Sequence, residues 1–192
     1  MARLTADDWA REALAVIGES GINGLAVEPL AKRLKTTKGS FYWHFADRAA
    51  LIDAALSLWE REHTEQVITL TDRASAGADA REHLRVLLHQ VMGSRTGDRI
   101  ELGLLASATD PRVKSAMERV TARRVGYLAT LYEGMGVAPA EAHQRAVIAI
   151  SVYLGHLQLL HAGRGTLPTT KAARATHLDL IMDTLSPEPA TK

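Results

Sequence analysis

The sequence predicts an all-α fold. Apolar residues recur at helical spacings along most of its 192 residues, and strand-type alternation is nearly absent. Breakers rich in glycine, serine and proline part the helical stretches. Thr5 ahead of Ala6-Asp7-Asp8 reads as an N-cap hydroxyl followed by acids in a first turn, where the helix dipole favours them. Ala10, Ala13, Leu14 and Ile17 give that helix one buried face. Gly21 and Gly24 end it, because glycine tolerates the left-handed backbone of a helix C-terminus. A second helix fits residues 27–34, with Leu30, Ala31 and Leu34 inward and Pro29 tolerable only in its first turn. A third starts near Thr37 after a short turn. Asp47 caps a fourth, whose apolar stripe is Ala50, Leu51, Ala54, Ala55, Leu58 and Trp59.

Further along, segments 74–79, 93–98, 134–139 and 163–168 are loops by composition. They delimit helical stretches at about 79–92, 98–108, 111–133, 139–162 and 169–185. The tail 186–192, which holds two prolines, is expected to fray. The chain has no internal repeat and no low-complexity tract.

Composition excludes several function classes. With 23 Lys and Arg against 22 Asp and Glu, bulk charge selects neither nucleic acid nor membrane as a partner. The absence of cysteine removes disulfide scaffolds, thiolate zinc sites and cysteine nucleophiles together. The start lacks the apolar core of a secretory signal, and the longest apolar stretch, 146–160, is interrupted by Ser151, Gly155, His156 and Gln158. A cytoplasmic protein with no membrane association is the expectation.

The neutral total hides an uneven distribution. Residues 1–28 carry Arg3 and Arg11 against Asp7, Asp8, Glu12, Glu19 and Glu28, a net of −3. Residues 29–48 carry Lys32, Arg33, Lys35, Lys38 and Arg48 against Asp47 alone, a net of +4. Phe41, Tyr42, Trp43 and Phe45 concentrate the aromatics in the same stretch. Basic residues interleaved with aromatics make a nucleic-acid footprint, or else a solvated basic face beside a small core.

Two short helices joined by a tight turn form a helix-turn-helix, whose second helix can enter the major groove. Residues 36–44 suit that task. Gly39 and Ser40 let the backbone come close to phosphate or base edges, and the Thr37 and Ser40 hydroxyls can bind phosphate oxygens. Lys38 is best placed to reach guanine O6 and N7. Tyr42 and Trp43 can pack on sugar or a thymine methyl, His44 can donate to phosphate, and Arg48 can clamp the flanking backbone.

The segments Leu30-Ala-Lys-Arg-Leu34, Thr36-Thr-Lys-Gly-Ser-Phe-Tyr-Trp-His-Phe45 and Asp47-Arg-Ala-Ala-Leu51 strongly resemble the DNA-binding domain of the tetracycline-repressor (TetR) family, over roughly residues 5–60. The resemblance implies a three-helix helix-turn-helix domain over 1–48, followed by a helical ligand-binding and dimerisation domain over 49–185. It assigns Thr37, Lys38, Gly39, Ser40, Tyr42, Trp43 and His44 to the recognition helix, makes Arg48 a phosphate contact, and keeps Phe41 and Phe45 in the core. The chain departs from the family pattern at three places. Lys35 replaces the usual glycine after the second helix, and a left-handed lysine costs about 1 kcal/mol. Ala26-Val27 lacks a Ser or Thr cap. Glu28 stands where some members read a base with arginine, so its carboxylate either accepts from cytosine N4 or faces away from DNA.

Beyond residue 48 the resemblance is one of length and helical order. It implies a homodimer through the helices near 139–162 and 169–185, and a small-molecule effector of unknown identity in an apolar pocket. Val147, Ile150, Leu154, Leu157 and Leu160 lie on one face of the first of these helices. Ala142, Ala146, Ala149 and Gly155 give it small surfaces, and Leu178, Ile181, Met182 and Leu185 stripe the second. Leu102-Gly-Leu-Leu-Ala106 suggests an apolar pocket wall, and His63, His89, Arg99, Glu101, Arg123, Tyr127, His156 and Gln158 could orient a ligand. No catalytic motif is present, and His83/His89 and His156/His161 are six and five residues apart, which splits them across a helix. A non-enzyme without metal or cofactor is expected. It would be a regulator, most simply a repressor released from a near-palindromic operator by a largely apolar molecule. The alternatives are an activator, or a ligand-binding dimer with altered or lost DNA binding.

Overall fold

The computed structural model describes residues 4–93, 98–163 and 165–187. All elements among them are helical: α1 (Ala6–Ser20), α2 (Val27–Arg33), α3 (Lys38–Tyr42), α4 (Arg48–Glu60), α5 (Gln66–Ala74), α6 (Ala80–Gly93), α7 (Asp98–Ala106), α8 (Pro111–Gly134), α9 (Pro139–Ala162) and α10 (Lys171–Leu185). A 3₁₀ turn at Ile22–Gly24 follows α1, and a π-type turn at Arg61–Glu65 joins α4 to α5. The expected loop at 93–98 and tail at 186–192 lie largely outside the described residues.

Capping explains the boundaries. Thr5 Oγ1 accepts from the Asp8 N–H at 3.2 Å while Asp8 accepts from the Thr5 N–H at 2.8 Å, a complete capping box. Gly21 closes α1 with φ +69°, and its N–H donates to the Ile17 carbonyl. Asp47 caps α4 through the Ala50 N–H at 2.8 Å. Ala26 offers α2 no side-chain cap, as its sequence implied.

The chain forms two compact units. The first comprises Met1–Glu65 and Thr96–Val120. Its core centres on Trp9, Leu14, Ile17, Leu30, Phe41, Leu51, Leu58, Trp59, Leu104 and Val113, all essentially buried. The boundary expected at residue 48 falls inside this unit, because the buried stripe of α4 packs on α1 and shares one core with it. The segment Leu102–Ala106, expected to wall a ligand pocket, also belongs here, and its Leu102, Gly103 and Ala106 line an open cleft of about 730 Å³ beside the end of α1. Leu104 is buried in the first core, and α7 crosses α1 so closely that a Cβ on Gly103 would sit 2.2 Å from the Ile17 carbonyl oxygen. Gly18 faces α7 less tightly, a Cβ there lying 3.1 Å from the backbone of Arg99 and Ile100. Ser107 Oγ pins the crossing, donating to the Gly103 carbonyl at 2.7 Å and accepting from the Ile22 N–H at 3.0 Å.

The second unit comprises Gln66–Arg95 and Thr121–Lys192. Its core contains Leu84, Leu88, Val125, Leu128, Tyr132, Ala142, Ala146, Ala149, Ile181, Met182 and Leu185. Ala142, Ala146 and Ala149 of α9 and the stripe of α10 are thus packed inside the unit, whereas they were expected to face a second subunit; Gly155 stays exposed. What α9 leaves exposed is Val147, Ile148, Leu159 and Leu160, and α10 leaves Leu180, 63% exposed. Open clefts of about 380 and 590 Å³ lie in this unit, the first lined largely by charged residues such as Arg81, Arg85 and Asp179, the second by Glu141, Arg145 and Asp183 among small and apolar residues such as Met135 and Val137.

His156 stacks on His177 with ring centroids 5.9 Å apart, pairing across α9 and α10 and not with His161. Burial, then the neighbouring His177, holds its pKa below the ordinary histidine value. A group whose folded pKa is depressed contributes stability above its unfolded pKa and loses it as the pH falls. Acidification through the histidine range, about pH 8 to 5, is therefore expected to lower the thermal stability of the second unit. His156→Gln should flatten that dependence; an unchanged slope in the variant would assign it to other groups.

Candidate nucleic-acid interface

The helix-turn-helix is built from α2, the turn 34–37 and α3. Lys35 takes φ +53°, the left-handed value usually left to glycine, and the turn closes when the Thr36 N–H donates to the Ala31 carbonyl at 2.9 Å. Thr37 caps α3 by accepting from the Ser40 N–H at 3.3 Å. That N–H is therefore already satisfied and is no spare phosphate donor.

Phe41 anchors α3. It is fully buried, edge-on to Trp9 of α1 with centroids 5.5 Å apart, and also 5.5 Å from Phe45. Both phenylalanines are core, as the resemblance implied. Anchoring through Phe41 turns the neighbouring side chains outward: Tyr42 is 56% and Trp43 80% exposed, although large aromatics normally sink into a core. Thr37, Lys38 and Gly39 are exposed beside them, with Ser40 and His44 half-buried. A Cβ on Gly39 would meet only Thr37 Oγ1, at 3.6 Å, so the fold itself does not require glycine there.

The structure thus brings Thr37, Lys38, Gly39, Ser40, Tyr42, Trp43 and His44 together on one short helix and its end. It does not place Arg48 with them. The Arg48 guanidinium donates to the Leu25 carbonyl at 2.7 Å and to the Ile22 carbonyl, closing the segment between α1 and α2. Arg33 is also committed, to Glu12 at 2.5 Å and to both oxygens of Glu19 at 2.6 and 3.0 Å. Lys32 and Lys35 are exposed and form no ion pair among the described residues. Lys38 Nζ lies 2.9 Å from Glu28 Oε1. That hydrogen bond holds the Glu28 carboxyl below the usual carboxylate range and raises the Lys38 ammonium. The sequence did not announce this pair; the only signal was opposite charge on adjacent helices of the motif.

Of the polar residues singled out as ligand contacts, Glu101 is buried in the first unit and Tyr127 donates to Asp72 at 2.6 Å in the second. None of the eight lines the clefts described above.

An exposed, aromatic and basic second helix in this setting defines a helix-turn-helix able to enter a major groove. Residues 11–55 match the model of bacterial regulatory proteins of the tetR family. The chain is similar to the tetracycline repressor protein class A from transposon 1721 of Escherichia coli, 33% identical over 119 residues, covering 60% of this chain and 52% of the repressor. It spans about half the length of the curated relatives it matches. Its fold is like that of a transcriptional regulator from Rhodococcus sp. Rha1, with TM-score 0.75 and 18% identity over 95% of this chain and 96% of that one. A TetR transcriptional regulator from Legionella pneumophila gives 0.72 and 16%, over 97% of this chain and 100% of the other. Residues 11–55 thus carry a DNA-binding domain of the type found in bacterial regulatory proteins of the tetR family.

Proposed function

We propose that the chain is a homodimeric, ligand-responsive repressor that reads a near-palindromic operator through α3. The observation that carries this reading is the outward display of Tyr42 and Trp43 next to Lys38, on a helix anchored from behind by buried Phe41. The contact set is Thr37, Lys38, Gly39, Ser40, Tyr42, Trp43 and His44. Arg48 enters only as a positioning residue, since its guanidinium donates to main-chain carbonyls. Repression is supported by the relatives, which are named tetracycline repressors. A second copy of the chain is the partner that the unpartnered apolar side chains of α9 and Leu180 of α10 would suit. Two reading helices would then address successive major grooves about 34–36 Å apart. The effector is a small molecule that weakens operator binding by the same factor as the operator weakens its own. Leu102, Gly103 and Ala106 wall an open cleft of about 730 Å³ in the first unit, but Glu19, Ser20, Asn23 and Asp110 line it too, so an apolar molecule is not singled out.

The test is selection of bound fragments from the source genome at ~0.15 M salt, where non-specific phosphate binding is weak. Recovery of a two-fold-symmetric site is the expected result. Lys38→Ala should weaken binding roughly tenfold or more and blur one position of each half-site. Gly39→Ala should abolish selection while leaving the unfolding temperature unchanged or slightly raised, because the added methyl finds room in the protein but not against DNA. Binding by Gly39→Ala at the wild-type level would remove α3 from the interface.

A further inference from the structure

Glu28 and Lys38 stand on adjacent helices of the motif and meet across its turn, with 68% and 52% of their side chains exposed. Neither enters a core, and an exposed ion pair contributes little to stability, so the fold gains little from this arrangement. A carboxylate on a surface that meets duplex phosphates is repelled unless something on the duplex donates to it. In the major groove the donors are amino groups, N4 of cytosine and N6 of adenine, whereas guanine presents only the acceptors O6 and N7. Lys38 has three N–H donors and spends one on Glu28; the carboxylate retains acceptor positions beyond the one that Lys38 fills. The two charged groups are 2.9 Å apart, less than the ~3.4 Å between successive bases of one strand. Whatever they touch must therefore lie within one base pair or two neighbours.

We propose that Glu28 and Lys38 act as one composite base reader, Lys38 donating to guanine O6/N7 and Glu28 accepting from the N4 amino group of a cytosine in the same or the adjoining pair. The assignment rests on α3 reading DNA, as above. Glu28 then determines specificity at a cost in affinity: it supplies the cytosine contact and subtracts from the positive charge that attracts phosphates.

Selection from a random duplex library by the full-length protein, with Glu28→Ala, Glu28→Gln and Lys38→Ala in parallel, tests this. The wild type should enrich a symmetric site with a G·C or C·G pair at one position, or two adjoining positions, of each half-site. Glu28→Ala should lose the cytosine preference there by roughly tenfold, keep the other positions, and bind random DNA more tightly with a salt slope steeper by about one. Glu28→Gln should shift that position toward adenine, whose N6 and N7 match a carboxamide. Lys38→Ala should lose guanine at the same or the adjoining position. Unchanged preference at every position in Glu28→Ala overturns the proposal, as does a uniform loss across all positions, which would mark a structural role. If the wild type itself enriches no sequence, the operator reading fails together with this one; a wild-type site reproduced by Glu28→Ala removes the composite reader alone.

Discussion

Gly103→Ala is expected to destabilise the first unit by about 1–3 kcal/mol, the usual cost of forcing an extra methyl into a packed contact. The obstacle is main chain: the new Cβ would lie 2.2 Å from the Ile17 carbonyl oxygen and 2.8 Å from Gly18 Cα, so no rotamer change relieves it and α7 must move off α1. Separation of the two helices would also stretch the Ser107 bond to the Ile22 N–H. Gly126→Ala makes the same chemical change inside α8, where nothing lies within 4 Å. It should stabilise by about 0.5–1 kcal/mol through helix propensity alone. Urea unfolding of both variants checks the pair of signs. Equal shifts in the same direction would mean that α1 and α7 do not cross closely in solution.

Arg48→Ala is expected to cost about 3 kcal/mol. Two main-chain carbonyls, those of Ile22 and Leu25, lose a charged donor at once, and hydrogen bonds to charged groups contribute about 1.5–3 kcal/mol each. The loss should persist at high salt, because carbonyl acceptors carry no net charge to screen. Arg48→Lys should recover part of it, since an ammonium lacks the fork that reaches both oxygens. Thermal unfolding with Lys38→Ala as the companion decides the assignment: the Lys38 variant should unfold like the wild type and the Arg48 variant well below it. A normal unfolding temperature for Arg48→Ala, with a shallower salt dependence of DNA binding, would return this residue to a phosphate-contact role.

The sequence was most informative where structure is local. Thr5, Asp47 and Gly21 end helices through bonds to residues within four positions, and periodicity placed the α4 stripe and the inward face of α1. Phe41 and Phe45 were legible as core through the resemblance. Non-local facts were not legible. Gly103 and Gly126 look alike in sequence, and only the passage of α1 beside the first distinguishes them. The partners of Arg48 are carbonyls, which carry no residue signature. An apolar run such as Leu102–Ala106 does not state which of its residues is buried, here Leu104, or against what. The π-type turn at Arg61–Glu65 follows an uninterrupted stripe ending at Trp59 and contains no glycine or proline to mark it. The faces of α9 and α10 were read as one interface because periodicity cannot assign a stripe to its own subunit or to another.

The commitment of Arg33 to Glu12 and Glu19, and of Arg48 to two carbonyls, has a consequence for the search problem that any sequence reader faces. A genome offers about 10⁶–10⁹ competing sites, and attraction to them is set by counterion release, which scales with the cations available to phosphates. A head whose guanidiniums already hold partners within the protein would be a weaker polyelectrolyte ligand than its count of cations suggests. If α3 reads an operator as proposed, such a head would spend less time on random DNA, and its occupancy of a true site would depend more on base contacts and less on ionic strength. On the proposed reading, discrimination would be gained by holding Arg33 and Arg48 to partners within the protein, with Lys32 and Lys35 left as exposed cations that form no ion pair among the described residues.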